Sequence, residues 1–134
     1  MKKLLVAAAL LLLAGCGALT GAPEDASPRE RAMSLMARYE LVQSAAEIAV
    51  TSPLLASQPR IKEGIKSASK ITTAAVLAYD DAARGCIRNP QTGKLEPAPG
   101  ARCEPEAARL LLPAAQAALG SLGAELIARG FLKN

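Results

Sequence analysis

Apolar and polar positions alternate along this chain in four distinct ways. Residues Leu4 to Leu13 form an apolar run behind two lysines. Gly17 to Ala26 shows no periodic apolar pattern, and its glycine, proline, threonine and acidic residues predict a flexible tether. From Ser27 onward the period becomes helical. Ser27-Pro28-Arg29-Glu30 supplies a capping serine, a proline for the first helical position and a glutamate three residues after the cap. Ala32, Leu35, Met36, Tyr39, Val42, Ala46, Ala49 and Val50 then gather on one face, opposite Glu40, Ser44 and Glu47. Pro53 disfavours helical geometry at Ser52, so this first helix is expected to end near Val50.

A turn or short helical segment is expected around Leu54 and Leu55. A second helix begins at about Pro59, with Ile61, Ile65, Ala68, Thr72, Ala75, Tyr79 and Ala82 in a four-three alternation that forms a heptad seam. Gly85 is suited to the left-handed position that closes such a helix. Residues 86–103 carry three prolines and two glycines, which exclude a helix. Short extended pieces at Ile87 and Leu95 are expected to flank a turn at Asn89-Pro90 and Thr92-Gly93. The third helix starts near Pro105 and runs through Ala108, Leu112, Ala115, Leu119, Leu122 and Leu126 to Gly130, with a kink or a split expected at Pro113. Gly120, Gly123 and Ala124 form a small-residue patch that lets another helix approach closely. The pattern predicts an all-α fold, a small antiparallel three-helix bundle over 27–134 with one irregular loop.

The apolar run at the start is too short to span a bilayer, which takes about 20 residues as a helix, and it reads as a cleaved export signal over 1–15. The run ends in Leu13-Ala14-Gly15-Cys16, which resembles the lipobox of bacterial lipoproteins. The resemblance covers only these first residues. It implies diacylglyceryl attachment to Cys16, cleavage before it, acylation of the new amino terminus by a fatty acid such as palmitate, and a tether over 16–26. Gly17 follows where an aspartate would, by the family's sorting rule, favour inner-membrane retention. Lipid anchoring in the outer membrane, facing the periplasm, is therefore implied.

With Cys16 acylated, the remaining two thiols stand in an oxidising compartment, and Cys86 with Cys103 is expected to form a disulfide closing the irregular loop. A loop of that length stabilises by about 3 kcal/mol in the chain-entropy model. That contribution matters, because alanine supplies 25 of the 119 residues from Cys16 onward and alanine buries little area.

The 16 basic and 12 acidic residues give a net charge of +4, and removal of Lys2 and Lys3 with the signal leaves +2. Nucleic acid is not expected as a partner, for the aromatic residues are only Tyr39, Tyr79 and Phe131. Arg60, Lys62, Lys66 and Lys70 line one flank of the second helix, offset by Glu63 alone, and are the candidate contact with anionic headgroups or an acidic wall polymer. The loop, with Arg88, Lys94 and Arg102, is a second candidate contact surface. No histidine, glycine-rich phosphate loop or nucleophile elbow appears in the sequence, and Asp80 is placed to pair with Arg84. No catalytic residue, metal ligand or cofactor is therefore expected. The expected function is that of a membrane-anchored, non-enzymatic envelope lipoprotein, a structural or interaction module for an envelope protein or for itself. The alternative is a prophage-type envelope lipoprotein acting in phage exclusion or lysis.

Overall fold

The computed structural model describes residues 26–134, and the expected export signal, Cys16 and the expected tether up to residue 25 lie outside the described residues. Three long helices, α1 (Pro28–Thr51), α2 (Pro59–Ala83) and α3 (Pro105–Ala128), form a bundle. A single 3-10 turn, Pro53–Leu55, joins the first two, and a hairpin of β1 (Cys86–Arg88) and β2 (Leu95–Pro97) joins the last two. The fold is the all-α three-helix bundle that the periodicity predicts.

Each helix starts on proline, whose missing N–H costs nothing there. At α1 the cap is reciprocal: Glu30 N–H donates to Ser27 Oγ at 3.2 Å, and Ser27 N–H donates to Glu30 Oε2 at 2.7 Å. These bonds hold the Glu30 carboxyl below its ordinary 4.5, the one to the Ser27 backbone contributing most. At the other end, Ser52 is extended ahead of Pro53 and its hydroxyl accepts from Leu54 N–H, which turns the chain into α2 and buries Leu55.

The core follows the predicted stripes with additions. Ala32, Leu35, Val42, Ala45, Ala46 and Ala49 are buried on α1, and Met36, Tyr39 and Val50 pack on them half-buried. On α2 the buried set is Ile65, Thr72, Val76, Tyr79, Ala82 and Ala83. Val76 and Ala83 lie outside the single heptad seam because α2 meets two neighbours and therefore buries a wider face. Eight of the eighteen buried apolar residues are alanine, so the helix backbones lie close and the core is thin.

Of the kink or split expected at Pro113, the split does not occur, since α3 is continuous through it. Pro113 and Arg109, whose carbonyl loses its partner, are both exposed, so the freed carbonyl belongs to the solvent side of α3. Gly85 is not left-handed; among the described residues only Gly93, Gly100 and Gly130 have positive φ. Gly85 is required for space instead, since a Cβ there would lie 2.0 Å from the carbonyl oxygen of Arg102. Gly130, at φ 79°, closes α3 as expected. The N–H groups of Gly130 and Phe131 donate to the carbonyls of Ile127 and Leu126, and Phe131 and Leu132 fold back onto the core.

Gly85→Ala is expected to destabilise the domain by about 3 kcal/mol, because the clash is with backbone. Gly120→Ala, where a Cβ meets nothing within 4 Å, should stabilise by about 0.5 to 1 kcal/mol; urea unfolding of both variants checks the contrast. The lowered carboxyl of Glu30 contributes stability that is full above 4.5 and is lost as pH falls through its native value. Glu30→Gln should therefore show a shallower loss of Tm below that pH in acid titration.

Candidate functional site

The loop and the basic flank are the two surfaces that the sequence singles out, and they lie at opposite ends of the bundle. Cys86 is fully buried at the exit of α2, and its Sγ is bonded to that of Cys103 at 2.04 Å with the Cα atoms 4.8 Å apart. Between them β1 and β2 pair antiparallel, with Ile87 opposite Glu96. Asn89 organises the turn. Its Oδ1 accepts from the N–H groups of Gln91 and Thr92, its Nδ2 donates to Glu96 Oε1, and Gly93 takes the left-handed position. Two further bonds fasten the loop to the helices, Ala98 N–H to Gly85 O at 2.8 Å and Glu104 N–H to Ala82 O at 2.9 Å.

Most loop cations are engaged within the fold. Arg102 donates to Glu104 at 2.6 Å and lies 3.7 Å from Asp81, and Glu104 first among these holds its guanidinium above the ordinary arginine value. Arg84 pairs with Asp80 at 2.8 Å, as the spacing predicts. Arg88 donates to the Gly93 carbonyl. Lys94 is exposed and has no ion pair among the described residues. Two clefts open beside this end. One, of about 410 Å³, is lined by Arg29, Arg84 and Arg102 together with Asp80 and Asp81, which offset two of the three positive charges. The other, of about 320 Å³, is walled by Pro28, Leu95, Ala108 and Leu112, with Arg31 at its edge. Tyr79 forms its floor, donating to the Pro28 carbonyl at 3.3 Å, and burial pushes its phenol above 10.0.

On the basic flank, the structure brings Lys62, Lys66 and Lys70 around Glu63. Lys66 Nζ donates to Glu63 Oε1 at 2.8 Å. That bond, then the positive charges of Lys66, Lys62 and Lys70, hold the Glu63 carboxyl below its ordinary value. Lys66 and Lys70 are exposed and Lys62 is half-buried. Arg60 does not join this row; it lines a separate cleft of about 380 Å³ between α2 and α3 with Ile61, Gly64, Ser121, Leu122 and Glu125. At about 1.5 Å per residue, the 24 residues of α1 place the start of α2 roughly 36 Å from Ala26, the first of the described residues.

Sequence reasoning missed a polar node between α1 and α2. Gln43 Nε2 donates to the Ser69 carbonyl at 3.2 Å and to Thr73 Oγ1 at 3.0 Å, Ser69 Oγ donates to Gln43 Oε1, and the Tyr39 hydroxyl lies 3.0 Å from Thr73 Oγ1. The available signal was Tyr39 with Gln43, and Ser69 with Thr73, each pair one helical turn apart on facing helices. Arg38 Nε is buried without a hydrogen-bond partner among the described residues. No group of three or more histidine, cysteine, aspartate or glutamate side chains suited to a metal ion occurs among the described residues.

Reduction of Cys86–Cys103 should cost about 3 kcal/mol of unfolding free energy, a large share for a core this rich in alanine, and denaturation with and without reductant measures it. Alkylation of the native protein should leave both cysteines unmodified. No family model, no curated protein and no solved structure matches this chain.

Proposed function

We propose that this chain is a lipid-anchored protein of the bacterial cell envelope, delivered to the outer membrane and facing the periplasm, whose helical domain acts by contact and not by catalysis. The observation that carries the reading is the Cys86–Cys103 disulfide. A pair of joined cysteines in a small domain belongs to an oxidising compartment, which is where an export signal ending at Cys16 would deliver it. The acyl chains on Cys16 hold the protein at the membrane, since each buried methylene adds about 0.8 kcal/mol and several chains make the attachment lasting.

The basic row gives this reading a direction. Lys62, Lys66 and Lys70 project from the half of the bundle remote from Ala26, so a domain standing on its tether presents them away from the anchoring membrane. An acidic wall polymer suits that placement better than the headgroups around the anchor. Each lysine near an anionic surface contributes on the order of 1 kcal/mol.

Cys16→Ser should move the protein from the detergent phase to the aqueous phase in detergent partitioning and abolish incorporation of labelled palmitate. If the unaltered protein keeps its initiating methionine and carries no acyl mass, the reading fails. Replacement of Lys62, Lys66 and Lys70 by alanine should reduce salt-sensitive retention on isolated cell-wall polymer by about tenfold or more while leaving the lipid partition unchanged.

A further inference from the structure

The face between α2 and α3 carries a second pair of helical seams that no part of the bundle covers. On α2, Gly64, Ala68, Ile71, Ala75 and Ala78 follow four- and three-residue intervals, with Ala68 and Ala75 half-buried and the others exposed. On α3, Leu110, Ala114, Ala117, Ser121 and Ala124 repeat the same intervals, and all are exposed. Neither seam contains a charged residue. Ile71 is 62% exposed and Leu110 68%, and the Arg60–Glu125 cleft lies between the seams at one end. By length and composition α3 would suffice to cross a membrane, yet only 28% of its most apolar stretch is buried. The helix has a core face, and it has a second apolar face that none of the described residues covers.

The register across this face is fixed by two contacts. Thr72 Oγ1 lies 3.2 Å from the Ala118 carbonyl, and Glu104 N–H donates to the Ala82 carbonyl. Ile71 is thus level with Ala117 to Ser121, and Leu110 is level with Ala78. Rotation of a second copy about a two-fold axis parallel to the helices lays α2 of one molecule over α3 of the other at these same heights. The large side chains then meet small ones: Ile71 faces Ala117 and Ser121 of the second copy, and Leu110 faces Ala78 of the second copy. Small residues at alternating positions let helices approach closely, and the result is a four-helix layer of heptad seams.

We propose that the α2–α3 hairpin is a self-association surface on which two copies of this chain pair face to face. The inference rests on the interaction-module reading and names the partner, but it does not depend on the lipid anchor. Two seams about 20 Å long on helices 8–10 Å apart cover on the order of 1,000 Å² in total across both copies, at the lower limit of specific interfaces. Interfaces of that size belong to weak, transient pairs, and affinity in the micromolar range is expected. The parallel axis leaves both Ala26 residues at the same end, so two tethers could reach one membrane, where confinement raises the effective concentration. The exposed row Met33, Leu41 and Ile48 on α1 is a poorer candidate because it lies on one helix alone and so offers a single seam to a second copy.

Sedimentation of the full chain, in detergent micelles if acylated and in buffer if not, from low micromolar to near-millimolar concentration tests the pairing. A reversible dimer is expected. Ile71→Glu should weaken it about tenfold or more, and adding Ala117→Lys should recover most of the loss. Both positions are exposed, and circular dichroism is expected to report unchanged helix content. A chain that remains monomeric, a dimer indifferent to Ile71→Glu or not recovered by Ala117→Lys, or one broken instead by Leu41→Glu overturns the proposal. Because acylation is measured separately, loss of the anchor reading leaves this result standing.

Discussion

The Arg102 carbonyl occupies the space in which residue 85 would otherwise carry a side chain. Much of the architecture depends on that contact. It lets the chain leave α2, travel out and back through the hairpin, and return beside its own point of departure. Cys86 and Cys103 are brought within bonding reach by it, and α3 begins one residue after the bond from Glu104 to the end of α2. The antiparallel setting of α2 on α3 is thus fixed at its base by a glycine, a covalent bond and two backbone hydrogen bonds, before any side-chain packing is counted.

Such fastening suits the core above it. Alanine at Ala45, Ala46, Ala49, Ala82, Ala83, Ala108 and Ala115 draws the helices together but removes little apolar area from water per residue. Larger side chains, among them Leu35, Val42, Leu55, Ile65, Val76, Tyr79, Leu119, Leu122 and Leu126, supply most of the remaining burial. In a chain of this size hydrophobic burial exceeds conformational entropy by a small margin, so crosslinks and caps that restrict the unfolded chain or satisfy helix ends carry unusual weight. The capping box at Ser27 and Glu30 and the glycine closure at Gly130 are of this kind.

The helices were legible in the sequence because their signals are local. Proline at each first turn, Pro53 after the first helix, Gly130 after the third and a repeat of three and four residues specify element type without reference to the rest of the fold. What escaped was set by neighbours. Val76 and Ala83 are buried because α2 serves two partners, which one seam cannot reveal. Pro113 is accommodated because its side of α3 faces water. Gly85 invites a local explanation, a left-handed cap, when the true reason is a carbonyl seventeen residues further on. Of the candidate surfaces, the lysine row was legible as charge periodicity, but the departure of Arg60 from it depends on how α2 turns toward α3, and the position of Cys16 lies outside the described residues.

An interface lined by alanine is nearly smooth, and smooth helices slide. The bonds among Tyr39, Gln43, Ser69 and Thr73 give α1 and α2 a detent, since a shift of one turn in either direction would leave the Gln43 amide beside only one of its two hydroxyl-bearing partners and break the remaining bonds of the node. Specificity of alignment here comes from a few polar atoms and not from interlocking bulk, in the way that one buried polar residue selects the register of a coiled coil. A polymer of small side chains thereby acquires a single ruler mark, and the two ends of the molecule keep a constant separation.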